Sequence, residues 1–518
     1  MIRFRNMRFS RLMLILVAAI TFCPLPSYGY DNPVIKGFHP DPSVCAVGED
    51  YYLVNSSFQY FPGVPIFHSK DLVNWEQIGN VLDRRSQIDL TDALSWGGIY
   101  APTIRYHDGV FYMITTNTGH GGNMIVHTDN PEGEWSDPVY VDIGGIDPSL
   151  FFYDGKCWYT GTADGRIVLC EIDPMTGEKL GEIKEIWRGT GGRYPEGPHL
   201  YRKDGWFYLL IAEGGTEYAH KVTIARSRSI DGPYEGNPDN PILTHCTMSS
   251  QANPIQGLGH GDFVQAADGS WWMACLGFRT QGGSHHLLGR ETFMAPVEWP
   301  EGSWPSVNGN GELYLDMNVP TLPLHPVDKA PVSLDFSKDR CGHDWVYLRN
   351  PFMENYLWTG KSLRLKASKE NLDETHISPT FIGRRQEDIF FRAETSLSVG
   401  DGAEAGLTVF MDAGSHYDLY LKGREVNVRY RLGELTHIES FPASDGKIWL
   451  KVEGNEYVYV FSWSPDGKDY RHLGQMNTRY LSSETASGFT GIVLGLFATG
   501  EDGTFADFYD FSYHGVAK

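Results

Sequence analysis

At 518 residues the chain is too long for a single core, so two large domains are expected. It is 41% apolar and only 21% charged, which excludes wholesale disorder. A formal net charge of -22 argues against phosphate backbones and anionic membrane surfaces as partners and leaves a neutral polar ligand as the better fit.

In chain order, four arginines (Arg3, Arg5, Arg8, Arg11) precede an apolar stretch from Leu12 to Phe22, and Ser27-Tyr28-Gly29 supplies a small-x-small cleavage site. Residues 1–29 therefore read as a signal peptide, which makes the mature protein periplasmic or extracellular. The apolar run is short for a bilayer span, so membrane insertion is not expected. Cys23 raises a lipoprotein reading, which the bulky Phe22 before it disfavours. The six later cysteines are scattered without a CxxC pair and read as individually buried thiols.

From residue 30 to about 319 one phrase recurs five times: a short strand, an acidic or Asp-Gly turn, and an aromatic pair. The pairs are Tyr51-Tyr52, Phe111-Tyr112, Trp158-Tyr159, Phe207-Tyr208 and Trp271-Trp272. Hairpins repeating at roughly 50 residues predict a five-bladed β-propeller, with the aromatic pairs packing between blades. A proline-rich linker, 320–332, follows. From 333 to 518, short alternating strands such as Tyr417 to Leu421 and Ile448 to Val452 predict a β-sandwich of jelly-roll, lectin-like type. The fold class is all-β.

Counting back 11 or 12 residues from the last aromatic of each pair reaches Asp41, Ala101, Asp147, Glu196 and His260. Equivalent positions on successive blades ring the central channel, so two Asp, one Glu and one His should converge at its mouth. A lone Asp-Pro is ordinarily a turn former. Turn chemistry alone would accept Asn or Ser equally well, so acids at three aligned positions point to acid–base work. Like charges around a narrow opening raise at least one pKa, which is the split between a proton-bearing acid and a base that glycosidic cleavage needs. His260 could be a metal ligand or an electrostatic neighbour. Arg290 is either a surface arginine or a grip on sugar hydroxyls. Phe58, Tyr60, Phe61, Trp96 and Tyr100 stand at strand ends, where rings can stack on sugars. There is no HExxH, GxSxG, Walker loop or GxGxxG opening a helix.

The motifs NPVIKGFHPDPSV, SSFQYFPGVPIFHSKDLVNWEQIG, GGIYAPTI, IDPSLFF, PEGPHLY, GLGHGDFV and LLGRETF together resemble glycoside hydrolase family 43, the β-xylosidase and α-L-arabinofuranosidase family. The resemblance implies a five-bladed propeller and an exo-acting, inverting hydrolase. Its substrate would be a hemicellulose oligosaccharide that yields terminal β-D-xylose, with α-L-arabinofuranose as the alternative. It implies Asp41 as general base, Glu196 as general acid and Asp147 as the group that tunes and orients the acid. Arg290, Phe58, Trp96, Tyr100, His260 and Phe489 would bind substrate. No cofactor is required, although His260 matches a position that in some members neighbours a bound Ca2+. Tyr100 stands where many relatives have Trp. SGFTGIVLGL, around Phe489, is similar to a loop of the appended sandwich that helps close the pocket. A non-catalytic carbohydrate-binding propeller is the rival class.

Overall fold

A computed structural model describes residues 29–328 and 331–516. The stretch read as a signal peptide, residues 1–29, lies outside these residues apart from Gly29. Nearly all regular structure is β; the described helical pieces are single turns at Met353–Asn355, Thr478–Leu481 and Ser483–Ala486.

Five antiparallel sheets, each led by an inner strand, follow one another along the chain. The inner strands are Ser43–Val47, Thr103–His107, Ile146–Tyr153, Glu196–Lys203 and Ile255–Gln265. Each blade begins as the repeat requires. Asp108-Gly109, Asp154-Gly155 and Asp204-Gly205 all have positive φ at both positions, the backbone of a tight type I′ hairpin that matches strand twist. The aromatic pairs then cement neighbouring blades. Tyr52 meets Phe111 at 5.0 Å, Tyr112 meets Phe152 at 5.1 Å and Tyr208 meets Trp299 at 4.8 Å, tilted or edge-on. Ring closure comes from the start of the domain. Tyr30–Asp31 pairs with Asp316–Met317, and the Asn32 side chain exchanges two hydrogen bonds with the Met294 backbone of blade 5.

Asp262 braces the ring from within. It belongs to blade 5 and accepts from Ser43 Oγ (2.7 Å) and Val44 N–H (3.1 Å) of blade 1. It also takes a two-pronged grip from Arg105 of blade 2 (2.8 and 3.0 Å) and the Tyr201 hydroxyl of blade 4 (2.6 Å). Burial alone would push this carboxyl up; Arg105, His199 and Tyr201 outweigh it and hold Asp262 well below the usual carboxylate range.

The C-terminal domain is two antiparallel sheets face to face, enclosing a core that includes Leu363, Leu407, Leu419, Leu450 and Phe508. One sheet is completed by the propeller: Tyr60–Phe61, in the loop of blade 1, pairs with Tyr347–Leu348 at its edge. Tyr60 and Phe61 are therefore an inter-domain strand, and their rings are not sugar platforms. The next sandwich residue, Arg349, is buried and donates to the carbonyls of Ala93, Ile377 and Glu374. A shared apolar cluster (Phe38, Phe58, Tyr60, Val346, Leu348, Val493) seals the joint. Among the described residues the cysteines are unpaired, and Cys45, Cys157, Cys170 and Cys275 are buried as expected; Cys341 is only partly buried, and Cys246 is exposed, because it sits in a loop after Leu243–Thr244 rather than on a packed strand.

Candidate active site

All five positions counted back from the aromatic pairs line one cavity. Asp41, Ala101, Asp147, Glu196 and His260 surround a space of about 200 Å³, together with Phe58, Tyr100, Ile146, Thr216, Arg290 and Phe489. The backbone is bent to aim them there. Asp41, Asp147 and His260 each have positive φ (54°, 54° and 45°), and so does Gly197 after Glu196 (57°). Pairing slips by β-bulges just after Ile146 and Glu196 and twice around His260. Bulges and left-handed residues at strand openings turn side chains out of the pleat and into the channel.

The three carboxyls have different surroundings. Asp41 is buried, accepts from Ser56 Oγ at 2.5 Å and from Arg290 Nη1 at 2.8 Å, and has His260 Nδ1 4.0 Å away. Burial works to raise it, but Arg290, His260 and the Ser56 hydroxyl prevail and keep it below its ordinary value. Asp147 is equally buried yet has no cation against it; its Oδ2 accepts the Gly197 N–H at 3.1 Å. Burial, joined by the charges of Glu196 and Asp41 and only partly offset by His260, pushes Asp147 up to about 7. Glu196 is the most open of the three, with His220 Nε2 3.4 Å from its Oε1. Asp41 is thus favoured as a carboxylate, whereas Asp147, directly beside the backbone of Glu196, is shifted the opposite way.

Arg290 is the hub of the opposite wall. Besides Asp41, it donates to Thr216 Oγ1 (2.9 Å) and to the Phe489 carbonyl (3.4 Å), while its Nη2 is buried without a partner. Phe58 stacks on Phe38 (5.4 Å) and touches Tyr100 (5.3 Å) and Phe489 (5.5 Å), forming an aromatic rim. Tyr100 donates its hydroxyl to the Trp96 carbonyl at 3.0 Å. Trp96 itself is not among the lining residues. It is 39% exposed and its ring lies against the Gly488 backbone, so it buttresses the loop carrying Phe489.

His260 sits over Gly197, where a Cβ would come within 3.0 Å of the ring. Among the described residues no group of three or more His, Cys, Asp or Glu is arranged to hold a metal ion. Ca2+ wants six to eight oxygen ligands. The carboxylate nearest His260 is already committed to Arg290 and Ser56, so the residues present do not form a calcium cage. Ser56, Thr216 and His220 escaped the sequence reading. His220 belongs to the strand-joining stretch EGGTEYAHK, and its ring rests on Gly259 of GLGHG, whose missing Cβ makes the room. That glycine-rich strand was the available signal.

A five-bladed propeller with three carboxyls converging on one pocket, backed by a lectin-like sandwich, is the architecture of a glycoside hydrolase. Residues 30–305 match Glycosyl hydrolases family 43, and residues 333–514 match the Beta xylosidase C-terminal Concanavalin A-like domain. The chain belongs to glycosyl hydrolase family 43. It is 41% identical over 508 residues to the Non-reducing end alpha-L-arabinofuranosidase BoGH43B of Bacteroides ovatus, covering 95% of each chain. It is 37% identical to a Xylosidase/arabinosidase of Butyrivibrio fibrisolvens, covering 94% of this chain and 99% of the relative. The solved structure titled Bacteroides ovatus Xyloglucan PUL GH43B superposes with a TM-score of 0.89 at 40% identity, over 94% of this chain and 100% of that one.

Proposed function

We propose that the protein is an exo-acting, inverting glycosidase that removes a terminal pentose from hemicellulose oligosaccharides: β-D-xylose, or α-L-arabinofuranose as the named alternative. One observation carries the reading: the acids of three separate blades meet in a single pocket, with Asp41 and Asp147 shifted in opposite directions. The volume of about 200 Å³ lies below the roughly 300–1,000 Å³ of pockets for larger ligands, which favours one sugar ring over a chain passing through. The two relatives' names cover both pentoses.

In this reading Asp41, kept ionised by Arg290, takes a proton from water as that water attacks the anomeric carbon. Glu196, on the pocket's solvent side, gives its proton to the departing glycosidic oxygen. Asp147 grips the Gly197 amide and so orients the residue before it. Arg290, Phe58, Tyr100, Thr216 and Phe489 hold the terminal sugar.

Asp41→Asn and Glu196→Gln are each expected to lower kcat by at least about a thousandfold without changing the fold, as release of 4-nitrophenol from β-xyloside and α-arabinofuranoside substrates will show. Activity within tenfold of wild type in either variant would remove the role given to that residue. NMR of the first-formed sugar should find its anomeric configuration opposite to the substrate's; a retained configuration would make the second carboxylate a nucleophile instead. Export is also part of this reading, supported by the arginines and apolar run of the first 29 residues, and mass analysis of the mature N-terminus tests it.

A further inference from the structure

Of the residues lining the catalytic pocket, Phe489 alone comes from the sandwich. Phe58 and Tyr100 pack against its ring on the pocket side, and Trp96 lies against Gly488 before it. A second cavity of about 280 Å³ adjoins the catalytic pocket, sharing Phe489, Arg290 and Thr216 with it and lined also by Tyr218, His286 and Glu484. On that cavity's wall the two domains meet through a polar contact. Glu484, on the single-turn helix Ser483–Ala486, accepts the Tyr218 hydroxyl at 2.7 Å and meets His286 Nδ1 at 2.8 Å, both on Oε1. Its Oε2 accepts the His286 backbone N–H at 3.2 Å. Tyr218 and His286 are themselves fixed against the same ring, Phe278, at 5.0 and 4.1 Å.

From Glu484 the chain reaches the pocket by a short rigid route. Ala486 and Ser487 bond back to the helix start, and Ser487 and Gly488 then turn with positive φ (64° and 74°), delivering Phe489 to the rim. Beyond it, Gly491 lies tight against the Leu288–Gly289 backbone and Thr490 Oγ1 donates to the Met411 carbonyl. The circuit closes through Arg290, which donates both to the Phe489 carbonyl and to Thr216, two residues before Tyr218.

We propose that Glu484, clasped by Tyr218 and His286 of the propeller, is a positioning residue of the active site, a latch between the domains that sets how closely Phe489 covers the terminal sugar. This rests on the pocket being the sugar site proposed above. A carboxylate taking a charge-assisted hydrogen bond from a phenol and two donors from one histidine residue is held in one geometry, which a neutral or shortened side chain does not reproduce. Burial acts to raise Glu484, but His286 and Tyr218 outweigh it and bring it to about 2.

A double-mutant cycle with Phe489 tests the latch on the better of the two aryl pentosides. Glu484→Ala and Phe489→Ala are each expected to raise KM about tenfold while kcat changes less than about threefold, the signature of lost ground-state contact. Because Glu484 acts through Phe489, the double variant should be no worse than Phe489→Ala alone. A purely structural role predicts instead that the two losses multiply, and that result, or an unchanged KM in Glu484→Ala, overturns the proposal. Should Glu484→Ala show no folding transition, Tyr218→Phe takes its place in the same cycle. If wild type cleaves neither substrate, the proposed function fails, and hydrogen exchange at amides 487–490 judges the latch alone: faster exchange in the variant supports it, equal exchange refutes it.

Discussion

At the scale of single residues, Asp41 and Asp147 show how similar side chains on equivalent strands part company. Both are buried, but only Asp41 has a guanidinium, and the difference leaves Asp147 at about 7. Above about pH 4 the unfolded chain has released this proton and the folded chain has not. Folded protein thus binds more protons, and this group's contribution to stability falls as pH rises from about 4 through about 7. Asp147→Asn is therefore expected to unfold a few degrees higher than wild type at pH 8 and at nearly the same temperature at pH 4, while losing most of its turnover. A lower unfolding temperature at pH 8 would mean that the ionised group is better solvated than its burial implies. The groups facing Asp147 include Glu196, Asp41, His260, the Gly197 amide and the hydroxyls of Tyr100 and Tyr159. The acids were legible in the sequence because a repeat fixed their spacing. Ser56, Thr216 and His220 were not, since each works through a partner on another strand that spacing does not reveal.

At the scale of elements, hairpins were readable because Asp-Gly forces a turn and the aromatic pair marks the strand after it. The bulges that aim the acids were not, for a bulge depends on the register of two strands together. The brace at Asp262 was equally hidden: its sequence neighbourhood is one strand, whereas its partners come from three other blades. Breaking a buried ion pair by neutralising one side leaves a stranded charge, at a cost of about 3–5 kcal/mol. Asp262→Asn, which abandons Arg105 inside the ring, should lower stability by about that amount in urea or thermal unfolding. A change below about 1 kcal/mol would show that water or other donors already satisfy Arg105.

At the scale of the whole molecule, both domain types could be read from strand rhythm, but their union could not. The sequence placed a linker between two bodies and left Tyr60 and Phe61 as rings able to stack on sugars; the structure makes them the last strand of the second body's sheet. Phe489 crosses the other way. Because each body completes the other, the intact chain is expected to melt in one cooperative transition by calorimetry. A chain ending at residue 319 should hydrolyse neither aryl pentoside at more than about a hundredth of the wild-type rate, through loss of the Phe489 wall and of the cover over Phe58. Two resolved melting peaks, or an active truncated form, would contradict this mutual dependence.

That exchanged strand also has a consequence for biosynthesis. Residue 61 leaves the ribosome long before residue 347, and at about 5–20 residues per second the gap is roughly 15–60 s. Throughout that interval the apolar Tyr60–Phe61 segment, which no propeller strand pairs, lacks its partner and can pair with other nascent chains instead. Slowing translation between the two halves should therefore lower soluble yield, and holdase chaperones should be found bound to the first half more than to the second.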